Sequence, residues 1–347
     1  MRICAVSLNF CIRATQTCLA ARAAGHEVHA VVALEACGRQ FNGQLDSIAT
    51  FSTESQMLKA IENTRPDIIH VHDRPHQIPG TVLSREWPCP VVHDVHDMFS
   101  CMVPGQTAAE DSPFERDSLL KADGLVFVSE PNLQYAAKRY GQLPPSMVVK
   151  SAVSTKFFPP IRFPRIGSAV WGGGLYREDK GTPRNYIDQR EIVSRFASVG
   201  QSATVYCAPA DAGVMEAYAA CGAIMAGVQP YVTMLQAYSR YDFGWYGQTE
   251  DHQQIHDTLP NKLFEYVAAG LPVLVINARE AGRFVEEQGL GVHIRRPEDV
   301  VYVRDRLEAL RPTLWEHRYA FTRENECRAL WPWYEQLIRA KAGKGKA

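Results

Sequence analysis

No stretch of this 347-residue chain approaches the roughly 20 consecutive apolar residues that a bilayer-spanning helix requires. A soluble protein is therefore expected, with peripheral membrane contact left open. No two of the nine cysteines lie within four positions of each other, which excludes a CxxC zinc or redox pair. Nine is odd, and Arg2 precedes a short β-like run where a secretory leader would carry a long apolar segment. Reduced thiols in the cytoplasm are the expectation, with Cys11 and Cys18 as helix or loop filler. Charge of one sign is also missing: 37 Lys and Arg against 38 Asp and Glu leave a formal net charge of −1. Without a basic field, nucleic acid is not an expected partner. Internal repeats and low-complexity tracts are absent apart from a Lys-Gly tail. What is present is apolar residues, 46% of the chain, enough for two ordinary α/β cores.

Short β-rich runs alternate with helix-like segments from the start: Ile3 to Leu8, a helical stretch ending at Gly25, then Val28 to Leu34. The order continues with helices at Met57 to Asn63, Ser112 to Ala122 and Glu130 to Tyr140, and strands at Asp67 to His72, Val91 to Val95, Gly124 to Val128 and Met147 to Lys150. Such alternation implies a parallel sheet covered by helices. Ser154 to Gly167 carries three prolines and no helical period, and reads as an interdomain connection. A second series follows, with strands at Ala169 to Trp171, Thr204 to Cys207, Phe243 to Tyr246 and Val273 to Ile276, and helices at Asp188 to Val199, Thr233 to Ser239 and Leu263 to Ala269. The last helix is expected over Glu316 to Ala340, with Tyr319, Leu330, Trp333, Tyr334, Leu337 and Ile338 on one face. Ligands of such folds lie at the carboxyl ends of the parallel strands.

The most informative segment runs from Leu259 to Val275. Pro260 in the first turn needs no amide donor, Gly270 suits a left-handed C-cap, and the free amides at the helix start suit a phosphate. Lys262 lies one turn before Glu265, so a carboxylate able to accept two hydroxyls sits beside a cation. An ordinary surface helix with a solvated Lys and Glu has the same pattern. A second segment, Trp171 to Gly181, places three glycines after a strand, where backbone amides approach an anion and Arg177 and Lys180 add charge. A flexible glycine turn with solvated charges is its alternative.

The Leu259 to Val275 segment resembles the donor-binding helix of GT-B glycosyltransferases, particularly the retaining family-4 type, in which a carboxylate, seven residues and a Glu bracket the nucleotide sugar. Asp257 and Glu265 satisfy that spacing. Tyr241 to Tyr246, Gly289 to Val292, Asp67 to His72, Pro90 to Asp97 and Ala122 to Ser129 are similar to the same family, so the resemblance covers most of the chain. It implies an α/β GT-B fold of two Rossmann-like domains facing across a cleft, with a C-terminal helix docking on them. Residues 1–158, joined by about 316–340, would form the acceptor domain, and 165–315 the donor domain. Glu265 would bind the donor ribose, and Asp257, where the family usually has Glu, would face the transferred sugar. Gly173, Gly174, Arg177, Lys180, Asn261, Lys262 and Leu263 would complete the donor site. Where the commonest family pattern has an Arg after a Gly, this chain has Leu175, so Arg177 takes over or Lys262 and the helix amides carry the phosphate. The co-substrate would be a UDP- or GDP-sugar, with no further cofactor, and the acceptor a glycan, a lipid-linked sugar or a protein.

His70, His72, Asp73 and His76 in one strand and loop, with His93, Asp94, His96 and Asp97 in another, also invite a zinc reading. Asp73 directly follows His72, whereas the commonest metallohydrolase motif places it two later. The resemblance implies instead that His96 hydrogen-bonds donor-sugar hydroxyls and Asp97 supports the ring or the acceptor, giving a catalytic set of His96, Asp97 and Asp257. His70 and His72 are expected to be structural. No Asp-x-Asp occurs, so the carboxylate pair with which GT-A enzymes hold a divalent metal on the diphosphate is missing. Leaving-group charge would be met by Lys, Arg and helix amides, a metal-independent arrangement. An inverting mechanism would take its base from His93, Asp94 or Asp97. A non-catalytic nucleotide-sugar-binding protein and a metal-dependent hydrolase using the histidines are the other readings. The Trp87 region, the loop from Phe99 to Pro113 and the segment Asn9 to Thr17 are expected to shape the acceptor pocket.

Overall fold

A computed structural model describes residues 1–8, 10–33, 44–73, 77–102, 113–160, 167–175, 187–207 and 212–344. The chain divides into two compact units, Met1–Ser154 with Arg323–Ala347, and Thr155–Thr322.

The first unit is built on β1 (Arg2–Ser7), α1 (Ile12–Ala23), β2 (Glu27–Ala33), β3 (Ser47–Phe51), α2 (Glu54–Thr64), β4 (Ile68–Asp73), α3 (Gln77–Leu83), β5 (Val91–Val95), α4 (Phe99–Met102), α5 (Pro113–Lys121), β6 (Gly124–Phe127), α6 (Glu130–Tyr140) and β7 (Ser146–Val148). The strands pair in the order β3-β2-β1-β4-β5-β6-β7, all parallel. Central strands such as β1 and β5 are buried on both faces and read as Val, Ile and Ala with isolated polar residues, the composition a helix-covered parallel sheet demands. One core cluster holds Val6, Val31, Ile69, Val71, Met57 and Phe127. The direction of strand addition reverses between β1 and β4, which makes the ends of those strands the place where a ligand crevice opens.

The second unit contains β8 (Ala169–Gly173), α7 (Arg190–Ser198), β9 (Ala203–Cys207), α8 (Ala212–Ala220), β10 (Ala223–Gly227), α9 (Tyr231–Tyr238), β11 (Phe243–Gly247), α10 (Gln253–Asp257), α11 (Asn261–Ala268), β12 (Val273–Ile276), α12 (Arg279–Glu287), β13 (Gly291–Ile294) and α13 (Arg304–His317). Its six strands run parallel in the order β10-β9-β8-β11-β12-β13, with the reversal between β8 and β11. Its core includes Trp171, Phe196, Phe243, Trp245, Leu274 and Ile276. Gly270, at φ 67°, ends α11 in the left-handed conformation the sequence suggests.

The expected single helix over Glu316 to Ala340 is not what forms. Helix α13 stops at His317, a 3-10 turn covers Arg318–Ala320, and two further helices follow, α14 (Arg323–Glu326) and α15 (Leu330–Lys344). Tertiary contacts break the helix. The Arg323 amide donates to Val153 O, and its guanidinium donates to Lys150 O and Thr17 Oγ1, so the chain is held out of helical geometry at this point. Arg318 is fixed in the second unit by Pro159 O and Ala268 O. Helix α15 docks on the first unit through Tyr334, which bonds His70, and Lys341, which pairs with Asp123. Trp87 itself belongs to the core of that unit, its indole donating to Val82 O. Asn9 and residues 103–112 lie outside the described residues.

Candidate functional site

In the second unit, the end of β8 and the start of α11 meet at the strand-order reversal. Gly173 adopts φ 154°, and a Cβ there would stand 3.1 Å from the Trp171 ring and 3.3 Å from Lys262 Nζ. Only glycine keeps this approach open without strain. The Lys262 ammonium lies 4.3 Å from the Trp171 ring centroid and 5.9 Å from that of Tyr246. Among the described residues it makes no hydrogen bond and no salt bridge, so aromatic faces alone hold it. Desolvation lowers its pKa to about 8 despite the opposing charge of Glu265. Glu265 is buried among Tyr231, Tyr238 and Tyr266. Burial pushes its carboxyl up to about 7, with Lys262 and the Tyr231 hydroxyl pulling the other way. Each charge is thus poorly solvated, and neither is neutralised by a direct ion pair.

Pro260 precedes α11 without a side-chain cap, and the Asn261 and Lys262 amides carry no hydrogen bond among the described residues. The Leu263 amide turns to Pro260 O at 3.2 Å, and its side chain is buried. Two free donors and one ammonium therefore converge beside the Gly173 turn, a geometry suited to a phosphate. Gly174 follows that turn. Arg177 and Lys180 lie outside the described residues. Asp257 ends α10, buried, with Gln253 Nε2 bonded to it and Arg279 Nη2 at 3.7 Å. The sequence singled out Lys262 and Glu265 but not the rings around them. Trp171, Tyr231, Tyr238, Tyr246 and Tyr266 sit in strands and helices where an aromatic residue reads as core.

The first unit gathers the histidines at the carboxyl ends of β4 and β5. Asp94 is fully buried. Arg13 Nε and Nη2 reach Asp94 Oδ1 at 3.0 and 2.8 Å, and Nε reaches Oδ2 at 3.1 Å. His72 Nδ1 donates to Asp94 Oδ2 at 3.1 Å, while His70 and His96 each bring Nε2 to 3.8 Å from that oxygen. Tyr334 OH and His70 Nδ1 share a hydrogen bond of 2.5 Å. Burial opposes ionisation of Asp94, yet Arg13 and the His72 hydrogen bond outweigh it and hold the carboxyl well below its usual range. Burial lowers the pKa of His70 and His72, so both imidazoles are neutral at pH 7.

Although His70, His72 and Asp94 bring ligand atoms within 4.8 Å of one another, the carboxylate is already engaged in bidentate fashion by a guanidinium, which disfavours a second cation. The same engagement and full burial remove Asp94 from the candidate bases; it positions other groups. His93 is equally buried. His96 and Asp97 leave β5 with partial exposure, and His96 Nδ1 lies 3.7 Å from Cys11 Sγ. Arg13 and Cys11 lie in the Asn9 to Thr17 segment that the sequence singled out, but their pairing with Asp94 and His96, more than 80 residues away, carries no local signal. His76 lies outside the described residues.

Comparison with known proteins bears on the fold. Residues 12–157 match the family model of Glycosyltransferase Family 4. No curated protein sequence matches the chain significantly. Among solved structures, the chain is similar to sucrose-phosphate synthase from Thermosynechococcus elongatus, with TM-score 0.72, 12% identity, and 98% of this chain and 100% of that one covered. It is also similar to WaaG, a glycosyltransferase involved in lipopolysaccharide biosynthesis, with TM-score 0.60, 12% identity and 99% and 100% covered. A third similar structure is an alpha-glucosyltransferase in complex with UDP and a 13-mer DNA, with TM-score 0.66, 13% identity and 98% and 99% covered. The chain has the GT-B glycosyltransferase fold, as the resemblance of its donor segment implies. The expectation that nucleic acid is no partner gains no support, since one of these similar proteins is bound to DNA. No helix among the described residues is long and apolar enough to cross a membrane.

Proposed function

We propose that the chain is a glycosyltransferase that takes its sugar from a nucleotide-sugar donor seated on the second unit and passes it to an acceptor held by the first. The observation that carries this reading is the Lys262 ammonium, seated on aromatic rings with no hydrogen-bond or salt-bridge partner among the described residues, beside two free helix amides and one turn before Glu265. A diphosphate satisfies the ammonium and the amides together, and a ribose diol satisfies the carboxylate. The nucleotide is UDP or GDP in this reading, and UDP is the ligand of the similar alpha-glucosyltransferase. No divalent ion is called on for the leaving group, because Lys262, the Asn261 and Lys262 amides and the Gly173 turn supply the positive potential. His96 and Asp97 contact the transferred sugar or the acceptor, Asp257 lies on the donor side, and the anomeric configuration is retained. The acceptor is a glycan, a lipid-linked sugar or a protein, and the site of action is the cytoplasm.

The test is calorimetric binding of UDP-, GDP-, ADP-, CMP- and dTDP-sugars with EDTA present, followed by analysis of the anomeric configuration of the product. Selective binding of one nucleotide under EDTA supports the donor site. No binding of any nucleotide sinks it, and a product of opposite configuration to the donor overturns retention.

A further inference from the structure

Cys11 stands apart from the other described thiols. Cys4, Cys18, Cys89, Cys101, Cys207 and Cys327 are buried, and burial raises the pKa of Cys4 to about 12 and of Cys89 to about 11. Cys11 is partly exposed and occupies the N-cap of α1, where the Ala14 amide points at its sulfur at 3.5 Å. No acidic residue lies in the first turn of that helix. His96 Nδ1 approaches the same sulfur at 3.7 Å, and the far side of its ring, Nε2, lies 3.8 Å from Asp94 Oδ2. Two elements, the start of α1 and the end of β5, therefore bring together a thiol, an imidazole and a carboxylate in that order.

We propose that Cys11, His96 and Asp94 form a reactive thiol site, in which Cys11 is held as a thiolate against the His96 imidazolium and captures small disulfides. A thiolate at a helix N-terminus beside a histidine is the nucleophilic form of cysteine. Asp94, already matched by Arg13, stands 3.8 Å from the other edge of the ring and orients it toward the sulfur. The charged and titratable groups around the pair are Arg13 and Cys18 from α1, His72 from β4, and Asp94 and Asp97 from β5 and its exit, with His70, bonded to Tyr334, stacked behind His72. Arg13 is matched by Asp94, so its charge does not oppose the imidazolium in full.

In the reaction, the Cys11 sulfur attacks one sulfur of the disulfide and a new S–S bond forms. The old S–S bond breaks, and the departing thiolate takes the proton of the His96 imidazolium. Cys11 is oxidised to a mixed disulfide and half of the reagent is reduced to a free thiol. The adduct stands beside His96, so it covers the acceptor side of any sugar-transfer site. The chemistry holds whether or not the chain transfers sugar.

The experiment is alkylation of the full-length protein by iodoacetamide, followed peptide by peptide in a mass spectrometer between pH 5 and 10. Cys221, partly exposed and without an imidazole contact among the described residues, is the internal reference. Cys11 is expected to show a rate inflection below pH 7 and, at pH 6, to react about 10-fold faster than in the His96→Asn variant, the two rates converging above pH 9. Oxidised glutathione at pH 7 is expected to place one glutathionyl group on Cys11. An inflection at pH 8.5 or above in the unaltered protein overturns the proposal without recourse to any variant. An unchanged rate in folded His96→Asn, or glutathionylation that spares Cys11, does the same.

Discussion

At the scale of single residues, Lys262 and Glu265 are arranged against the stability of the free protein. Glu265 has a raised pKa in the fold, so its contribution is fully present below the unfolded value near 4.5 and is lost as pH rises through about 7. Lys262 has a lowered pKa, so its contribution is present above 10.5 and is lost as pH falls through about 8. Near pH 7.5 the pair therefore weakens the unliganded fold, and a bound diphosphate with its ribose removes that cost. Replacing Glu265 by Gln is expected to favour the folded state by on the order of 2 kcal/mol more at pH 8 than at pH 4.5, read by urea denaturation at both values. A pH-independent difference would mean the carboxyl is not desolvated. The same position replaced by Ala is expected to lose about 1–3 kcal/mol of donor affinity, because two hydroxyls are left without a charged acceptor. Lys262→Ala is expected to weaken nucleoside diphosphate and leave nucleoside affinity nearly unchanged, which titration calorimetry distinguishes. Both residues were legible in the sequence through their spacing from Asp257 and Pro260. The aromatic seat was not, because a Trp in a strand looks the same whether it packs a core or carries an ammonium.

At the scale of elements, the Arg13, Asp94, His72, His70 and Tyr334 chain ties α1, β4, β5 and α15 together through the centre of the first unit. Removing one charge of such a pair leaves the other buried and unmatched, at a cost of about 3–5 kcal/mol. Asp94→Asn is expected to show a loss of that order at pH 7. Because the Asp94 pKa is depressed, the loss should shrink as pH falls through the folded value, since the carboxyl contributes only above it. A second handle on α15 is Gly124, where a Cβ would meet the Trp333 ring at 2.7 Å and Leu337 at 2.9 Å. Gly124→Val is expected to cost about 1–3 kcal/mol by overpacking while nucleotide affinity stays unchanged, because the contact lies wholly in the first unit. The sequence marked α15 by the period of its apolar residues. It missed the interruption at 318–322, where no Gly or Pro stands and only the contacts of Arg318 and Arg323 stop the helix. It also passed over β3 and β10, short edge strands rich in Ser, Thr, Ala and Gly, whose pairing is decided by neighbours far along the chain.

At the scale of the whole molecule, the fold was legible because two series of alternating strands and helices leave few topologies for a right-handed parallel sheet. Each series fixes a strand-order reversal, and with it the place where chemistry collects: β8 and β11 in one unit, β1 and β4 in the other. The division of labour between the units is open to a direct measurement, because each has its own core and its own opening free energy. A nucleotide bound only to the second unit stabilises only that unit, by about 2.7 kcal/mol at a ligand concentration 100 times the dissociation constant. Hydrogen exchange with saturating UDP is therefore expected to slow amides in β8, β11 and the first turns of α11, and to leave β4, β5 and α1 at their unliganded rates. Protection spread equally over both sheets would place the nucleotide elsewhere. Protection confined to β4 and β5 would reverse the assignment, making the His96 cluster the nucleotide site and leaving the Lys262 ammonium to some other anion.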